Sequence, residues 1–456
     1  MAGTGASVLP ALPMVAHAQT AEPGDSPYGP LAEVPDENGL LLPEGFTSRV
    51  VAVAGEPVGD TDHRWHAFPD GAACFPTDDG GWTYACNSEV TAVFANDAGG
   101  VGAIRFDADG QIVDAYPILT GSTSNCAGGP TPWGTWLSCE EPLDQRGRLW
   151  ECDPTGETAA VAHEAMGLWR REAAAVDPEG QAVYMTEDDP AGLLYRYTPD
   201  AYPDLSSGLL EAASIDGDGN VTWSEVPDPS AAEQPTREQV ADAERFDGGE
   251  GIWYHDGSVW FTTKGDDRVH RLDLAAQRHE VIWDGDPEAL GVEGAVLSGV
   301  DNITVDATTG DLYVAEDGGN MEVVVISAEG TVAPFLRIPE GHDGSELTGP
   351  CFDPDRTRLY VSSQRAPTPK PLSEIIEGND DDARIGGVTY EITGPFRALP
   401  AQDTTTTTAA TGDADADPDE GADDGDGSGT AVVVGIGVAV AAATGAVIGV
   451  RRRREG

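Results

Sequence analysis

The sequence predicts an all-β protein: a six-bladed β-propeller with one insertion, followed by a disordered acidic linker and a C-terminal transmembrane helix. A strand-turn-strand unit recurs six times between Asp70 and Arg365, with copies starting roughly 45 to 60 residues apart, the scale of propeller blades. Almost no stretch carries helical periodicity, and many short strands separated by turn signals are the mark of this architecture. Beyond the last copy the chain turns Thr- and Asp-rich, and an uncharged run follows with Arg451 to Arg454 immediately after it.

Taken in order, residues 1–18 are mostly small and apolar and end in Ala16-His17-Ala18, resembling the cleavage site of an export signal without the usual basic stretch before it. Residues 19–40 read as a Pro- and Gly-rich linker, and 41–398 as the propeller. Gly45 to Gly55 is the first expected strand. The copies run from Asp70 to Asn87-Ser88-Glu89, from Gly128 to Cys139-Glu140-Glu141, and from Glu172 to Glu187-Asp188. They continue from Glu250 to Lys264-Gly265-Asp266, from Asp301 to Glu316-Asp317, and from Glu346 to Gln364-Arg365. In the second copy Gly128-Gly129-Pro130 reads as a turn and Trp133 to Ser138 as a half-buried strand. The long step from Glu172 to Glu250 implies an insertion over about 199–246, with a strand at Asn220 to Val226 and a helix capped by Thr236 with Gln239 three residues on. Gly386 to Ile392 is expected to close the ring beside the strand at Gly45 to Gly55.

Residues 399–429 are too polar to bury a core and read as disordered linker. Residues 430–450 are long and apolar enough to span a bilayer, and 451–456 form a basic tail that the positive-inside rule keeps cytoplasmic. The expected location is therefore the extracellular face of the cell membrane, held by the C-terminal helix.

Composition narrows the function. The chain has 456 residues with 80 acidic against 25 basic, a net charge of −55, and only two lysines, Lys264 and Lys370. Such a surface excludes nucleic acid as a partner, because phosphate backbones are bound by Lys and Arg. It suits high salt, where screening removes most self-repulsion, and a halophilic source is expected. The six cysteines fit neither a disulfide framework nor a structural zinc site, and export predicts one or two bridges.

The repeat itself makes a site. In a propeller the innermost strand of each blade descends from one face and the second strand climbs back to it, so the first residue of one and the last of the other surround the channel mouth. Glu172, Glu250, Asp301 and Glu346 are the first kind; Cys139, Glu140, Glu187, Asp188, Lys264, Glu316, Asp317 and Arg365 are the second. Each carboxylate alone reads as a solvated turn residue, Cys139 alone as a buried small apolar group, and Lys264 alone as a surface lysine paired with Asp266 or Asp267. Recurrence in one register favours a shared site, where converging carboxylates need cations to relieve their repulsion. Carboxylates suit calcium, and a thiolate asks for a softer metal such as iron or zinc.

Asn125 to Glu141, with Leu42-Pro43-Glu44-Gly45-Phe46 upstream and Thr348 to Asp355 downstream, resembles the PhoX alkaline phosphatase family of secreted propeller proteins over roughly residues 40–395. The resemblance implies a propeller channel holding iron and calcium, with Cys139 on iron and Glu140, Glu172, Glu250, Asp301 and Glu346 sharing the metals. It also implies hydrolysis of small phosphate monoesters; Lys264 and Arg365 are assigned catalytic roles from their place on the same face. The chain departs from the family at Asn87-Ser88-Glu89, where members have Asn-His-Glu, and at Gln364-Arg365-Ala366, where they have Gln-His-Pro. The leading expectation is a monomeric metal-dependent phosphomonoesterase. A calcium propeller hydrolase of the lactonase kind would need no thiolate, and a cell-surface binding propeller would show no turnover.

Overall fold

Short runs of alternating β-branched, aromatic and small residues, broken by glycine turns such as Asp109-Gly110, Asp256-Gly257 and Thr309-Gly310, fold into six antiparallel sheets arranged as the blades of a propeller. The structure is a computed structural model that describes residues 20–91, 98–285, 296–342, 344–366 and 386–398. All of these lie in the compact unit Met1–Pro400; the second unit, Ala401–Gly456, lies outside the described residues.

Blade 1 consists of Pro69–Pro76, Trp82–Ser88, Gly99–Phe106 and Ile112–Ser122, and blade 2 of Asn125–Pro130, Trp136–Glu140, Leu149–Cys152 and Val161–Ala162. Blade 3 has five strands, Arg171–Asp177, Ala182–Glu187, Tyr195–Ala201, Asp204–Ile215 and Val221–Glu225. Blade 4 is Gly249–His255, Ser258–Thr263, Arg268–Asp273 and Arg278–Asp284. Blade 5 is Val300–Val305, Leu312–Glu316, Glu322–Ile326 and Thr331–Arg337, with Glu22–Pro23 added in parallel at its outer edge. Blade 6 is Leu347–Phe352, Arg358–Ser363 and Val388–Thr393, completed by Thr47–Val53 from the start of the chain. The ring thus closes as expected, by an antiparallel pair between the ends of the propeller sequence.

The first strand of every blade faces the axis, and the inner strands of neighbouring blades abut around it, the sixth against the first. Six buried apolar clusters fill the wedges between adjacent blades. Successive side chains of a strand point to opposite wedges, so Leu137 and Cys139 pack toward blade 3 while Trp136 packs toward blade 1. Trp65, Trp136, Trp169 and Trp283 are fully buried; truncating such a side chain to Ala costs roughly 3–5 kcal/mol.

Four local expectations are corrected. Gly128-Gly129-Pro130 is not a turn but part of the inner strand of blade 2, where a Cβ at Gly129 would collide with the Ala174 carbonyl of blade 3, so only glycine allows the two backbones to approach. The insertion over 199–246 contains the fourth strand of blade 3 and a fifth at Val221–Glu225, and its expected helix is a single 3-10 turn, Thr236–Glu238. There Thr236 turns inward to Tyr195 (2.9 Å) instead of capping, and Gln239 holds Asp228. Residues 20–40, expected as linker, are anchored to the propeller: Ala21 and Leu40 are fully buried, and the Tyr28 hydroxyl lies 2.5 Å from that of Tyr313. All six cysteines are unbridged. Among the described residues no helix is long and apolar enough to cross a membrane; the expected signal, acidic linker, span and tail lie outside them.

Candidate metal centre

Each inner strand carries a β-bulge near its start, placed by a register shift between Pro69 and Ala72, Asn125 and Gly128, Arg171 and Ala174, Gly249 and Ile252, Val300 and Ile303, and Thr348 and Cys351. A bulge adds one residue and re-aims a side chain. In five blades the first residue of the bulge is Asp70, Cys126, Glu172, Glu250 or Asp301, all buried. In the sixth, Thr348 lies at the corresponding height and donates to the Pro69 carbonyl (2.8 Å), while Glu346, two residues earlier, supplies the carboxylate.

A second ring comes from the residue just past each second strand. Glu89, Glu141, Asp188, Lys264, Asp317 and Gln364 each donate the backbone N–H to the carbonyl preceding the inner strand of their own blade. That bond places them level with the first ring. The residue before each of the first five braces a loop instead: Glu140 accepts from the N–H of Arg148 (3.0 Å), Glu187 from the Tyr195 hydroxyl (2.8 Å), and Glu316 from the N–H of Ser298 (3.0 Å).

The inner ring is held from the neighbouring blade. Asn87 donates to the carbonyls of Cys126 (3.0 Å) and Ala127 (2.7 Å) while accepting from Trp136 Nε1 and Ser138 Oγ. The hydroxyls of Thr186 and Thr262 donate to the carbonyls of Glu250 and Asp301. Below the ring the channel closes between Gly71, Ala127, Gly251, Asn302 and Gly349 to a cavity of about 20 Å³, room for a water molecule and not for a phosphate ester.

The two rings form a continuous arc of ligand atoms. Asp70, Glu89 and Cys126 converge; so do Cys126, Glu141 and Glu172; Glu172, Glu250 and Asp301; and Asp301, Asp317 and Glu346, with the atoms of each group within 4.8 Å of one another. Cys126, Glu172 and Asp301 are shared between adjacent groups. Lys264 stands beside the third and fourth groups, 2.8 Å from Glu250, 3.3 Å from Asp317 and 4.0 Å from Asp301. Arg365 lies 2.8 Å from Glu346 and 3.9 Å from Asp317. Gln364 donates to Asp70 and Glu89, and Arg170 pairs with Glu141 and Asp188.

Burial pushes the carboxyls of Asp70, Glu141, Glu172, Asp301 and Glu346 well above the carboxylate range, and neighbouring carboxylates push them further. Burial takes Glu250 to about 8 against the pull of Lys264. For Asp317 burial also raises, but Lys264, a hydrogen bond with Glu346, and Arg365 together hold it below its usual value. The strongest charges on the buried Glu172 are those of the acids Glu250, Glu141, Asp301 and Asp70, outweighing that of Arg170, and its buried Oε1 has no hydrogen-bond partner among the described residues. A buried oxygen without a donor, ringed by like charges, is a seat for a cation. The donor set fits metals: hard oxygens for calcium, and in two of the groups a thiol for iron.

Of the residues assigned from the sequence, the structure brings together Glu172, Glu250, Asp301, Glu346, Lys264 and Arg365. It does not bring Cys139 or Glu140 to them. Cys139 is fully buried with Leu137, Leu149, Met166 and Trp169, where burial takes its thiol to about 12. The thiol in the arc is Cys126. Lys264 does not pair with Asp266, which holds Thr263 and Arg268. Asp70, Glu89, Cys126 and Glu141 join the site without having been assigned to it, and Asp317, expected at the mouth from the repeat, joins the ligand groups. Their signal is an acid or Cys followed by small residues at each strand start, as in Asp70-Gly71-Ala72, Cys126-Ala127-Gly128 and Glu172-Ala173-Ala174.

A family model described as alkaline phosphatase PhoX matches residues 87–151, 144–289 and 281–367, together more than half of the chain. Among solved structures, a Pseudomonas fluorescens PhoX in complex with vanadate, a transition state analogue, is 19% identical with a TM-score of 0.63, covering 82% of this chain and 98% of that one. A gluconolactonase from Xanthomonas campestris is 12% identical (TM-score 0.43; 84% and 99% covered). The calcium-binding protein regucalcin from Agrobacterium tumefaciens is 15% identical (TM-score 0.41; 78% and 97% covered). No curated protein sequence matches the chain.

Proposed function

The chain belongs to the PhoX family of alkaline phosphatases, phosphoric monoester hydrolases, and from that premise we propose that its arc of carboxylates and one thiol holds the metals of a phosphomonoesterase. The observation that carries the proposal is the run of four overlapping ligand groups with Lys264 and Arg365 beside the last two. Cys126, with Asp70, Glu89, Glu141 and Glu172, suits iron; Glu172, Glu250, Asp301, Asp317 and Glu346 suit calcium. Bound metals would act as Lewis acids, withdrawing charge from the phosphoryl oxygens.

The chain's own residues do the rest. Lys264 and Arg365, fixed by buried carboxylates on either side, present two cations where the transferring phosphoryl group accumulates charge, a contribution of on the order of a hundredfold for one preorganised contact. The space between the inner strands beneath the ring is too small for the ester, which would approach the ligand groups from the mouth. Asn87, Thr186 and Thr262 hold the ring carbonyls, so the ligand side chains are oriented before any substrate arrives.

Display outside the cell as a monomer, anchored through residues 430–450, belongs to the same proposal. What supports it is the uncharged stretch with Arg451 to Arg454 after it and the signal-like start. Intact cells hydrolysing an added ester that cannot cross the membrane would test that part. The chemistry is tested with 4-nitrophenyl phosphate in molar salt. Chelation should abolish hydrolysis, and calcium with iron should restore it. Hydrolysis that survives complete metal removal, or turnover of a lactone in place of the ester, would refute it.

A further inference from the structure

Asp317 differs from the carboxylates beside it in the arc. Its side chain is 30% exposed, against 2% for Glu250, 6% for Asp301 and 5% for Glu346. Its two oxygens point at different cations: Oδ2 lies 3.3 Å from Lys264 Nζ, and Oδ1 lies 3.9 Å from Arg365 Nη1. A carboxylate bridging two cations in this way occupies the position that two oxygens of a phosphate would take. Yet an Asp317 oxygen also lies within 4.8 Å of ligand atoms on Asp301 and Glu346. It is followed by Gly318 (φ 77°) and Gly319 (φ 61°), left-handed positions that let the backbone behind it re-aim at little cost.

We infer that Asp317 is an exchangeable carboxylate, which holds the anion position between Lys264 and Arg365 until the neighbouring carboxylates bind a cation and then yields it to phosphate. The inference rests on the phosphatase reading above. Without a cation, a phosphate dianion would meet Glu89, Glu250, Asp301, Glu346 and Asp317 at close range, and both positive groups are already neutralised. With a cation on Asp301, Asp317 and Glu346, the acid charge is balanced there and Lys264 and Arg365 face the mouth. Cation and phosphate must then each raise the other's affinity by the same factor.

Calorimetric titration with inorganic phosphate, at constant molar potassium chloride, tests this on chelator-treated and calcium-loaded protein. Loaded wild type should bind phosphate at least tenfold more tightly than chelated wild type. Chelated Asp317→Asn and Asp317→Ser should bind it at least tenfold more tightly than chelated wild type, and adding Lys264→Ala should remove the gain. Equal phosphate binding by chelated wild type and both variants, while loaded wild type binds phosphate, would overturn the exchange and leave the phosphatase reading intact. Loaded wild type that neither binds phosphate nor hydrolyses 4-nitrophenyl phosphate would overturn both. The reciprocal titration of wild type with calcium, with and without phosphate, needs no variant to fold: unchanged calcium affinity would also sink the exchange.

Discussion

Cys126→Ser and Cys139→Ser make the same one-atom change thirteen residues apart in blade 2, and the structure requires opposite outcomes. Cys126 Sγ lies 3.6 Å from Asp70 Oδ2 and belongs to two of the four ligand groups. Replacing a soft thiolate by a hydroxyl there should lower iron content at least tenfold under equal loading, since even changes behind the ligands cost 10–100-fold in metal affinity. The apolar wedges are untouched, so the metal-free melting temperature should move little. Cys139 has no metal to lose. Leu137, Leu149, Met166 and Trp169 surround it with apolar side chains while the Arg171 guanidinium acts on it electrostatically, and burying a poorly paired hydroxyl there costs about 1–3 kcal/mol. In a domain of this size that is a fall of roughly 1–4 °C in Tm with iron content unchanged. Iron and calcium are read by elemental analysis, and Tm by differential scanning calorimetry on the same preparations. If Cys139→Ser loses the iron and Cys126→Ser keeps it, the register of blade 2 is wrong and with it the assignment of the arc.

Lys264→Ala should keep calcium and iron and lower turnover of 4-nitrophenyl phosphate by on the order of a hundredfold, while Lys370→Ala, outside the described residues, keeps full activity; equal activity in both would make Lys264 structural only. Chelated protein should lose stability as pH rises. The folded carboxyls hold protons that unfolded ones, with ordinary values near 4.5, do not, so stability falls from about pH 5 through the Glu250 value of about 8. Calcium should flatten that slope by replacing the protons, and a chelated Tm that rises from pH 5 to 8 would contradict the burial of the arc. The net charge of −55 predicts a Tm that climbs from dilute buffer to molar salt, as the screening length shrinks from about 10 Å at 0.1 M to about 3 Å; a flat series would exclude it.

The architecture was legible because each blade repeats a pattern that length and turns can report, and because the closing pair at Thr47–Val53 and Val388–Thr393 is the one partnership left to the two ends. Glu172, Glu250 and Asp301 were legible as strand starts. What a strand pattern does not reveal is the bulge. One added residue reverses which side chain faces the axis, and a slip of one position sends a whole strand to the other face. In blade 2 the Gly-Gly-Pro run reads as a turn, which moved the expected start from Cys126 to Gly128 and the expected thiol to Cys139. At the end of the second strand a separate offset of one residue put Glu140, which braces a loop, in the place of Glu141, which faces the mouth. The face of Lys264 was legible, but its partners Glu250 and Asp317 come from the start of its own blade and the end of the next blade's second strand, and no local spacing reports them.

The measurement that bears most directly on the metal centre is the elemental content of protein purified without chelator, read beside its hydrolysis of 4-nitrophenyl phosphate before and after metal removal. The arc predicts calcium and iron bound together, activity lost on chelation and recovered on reloading with both. A folded protein that carries neither metal and hydrolyses the ester at the same rate would contradict it.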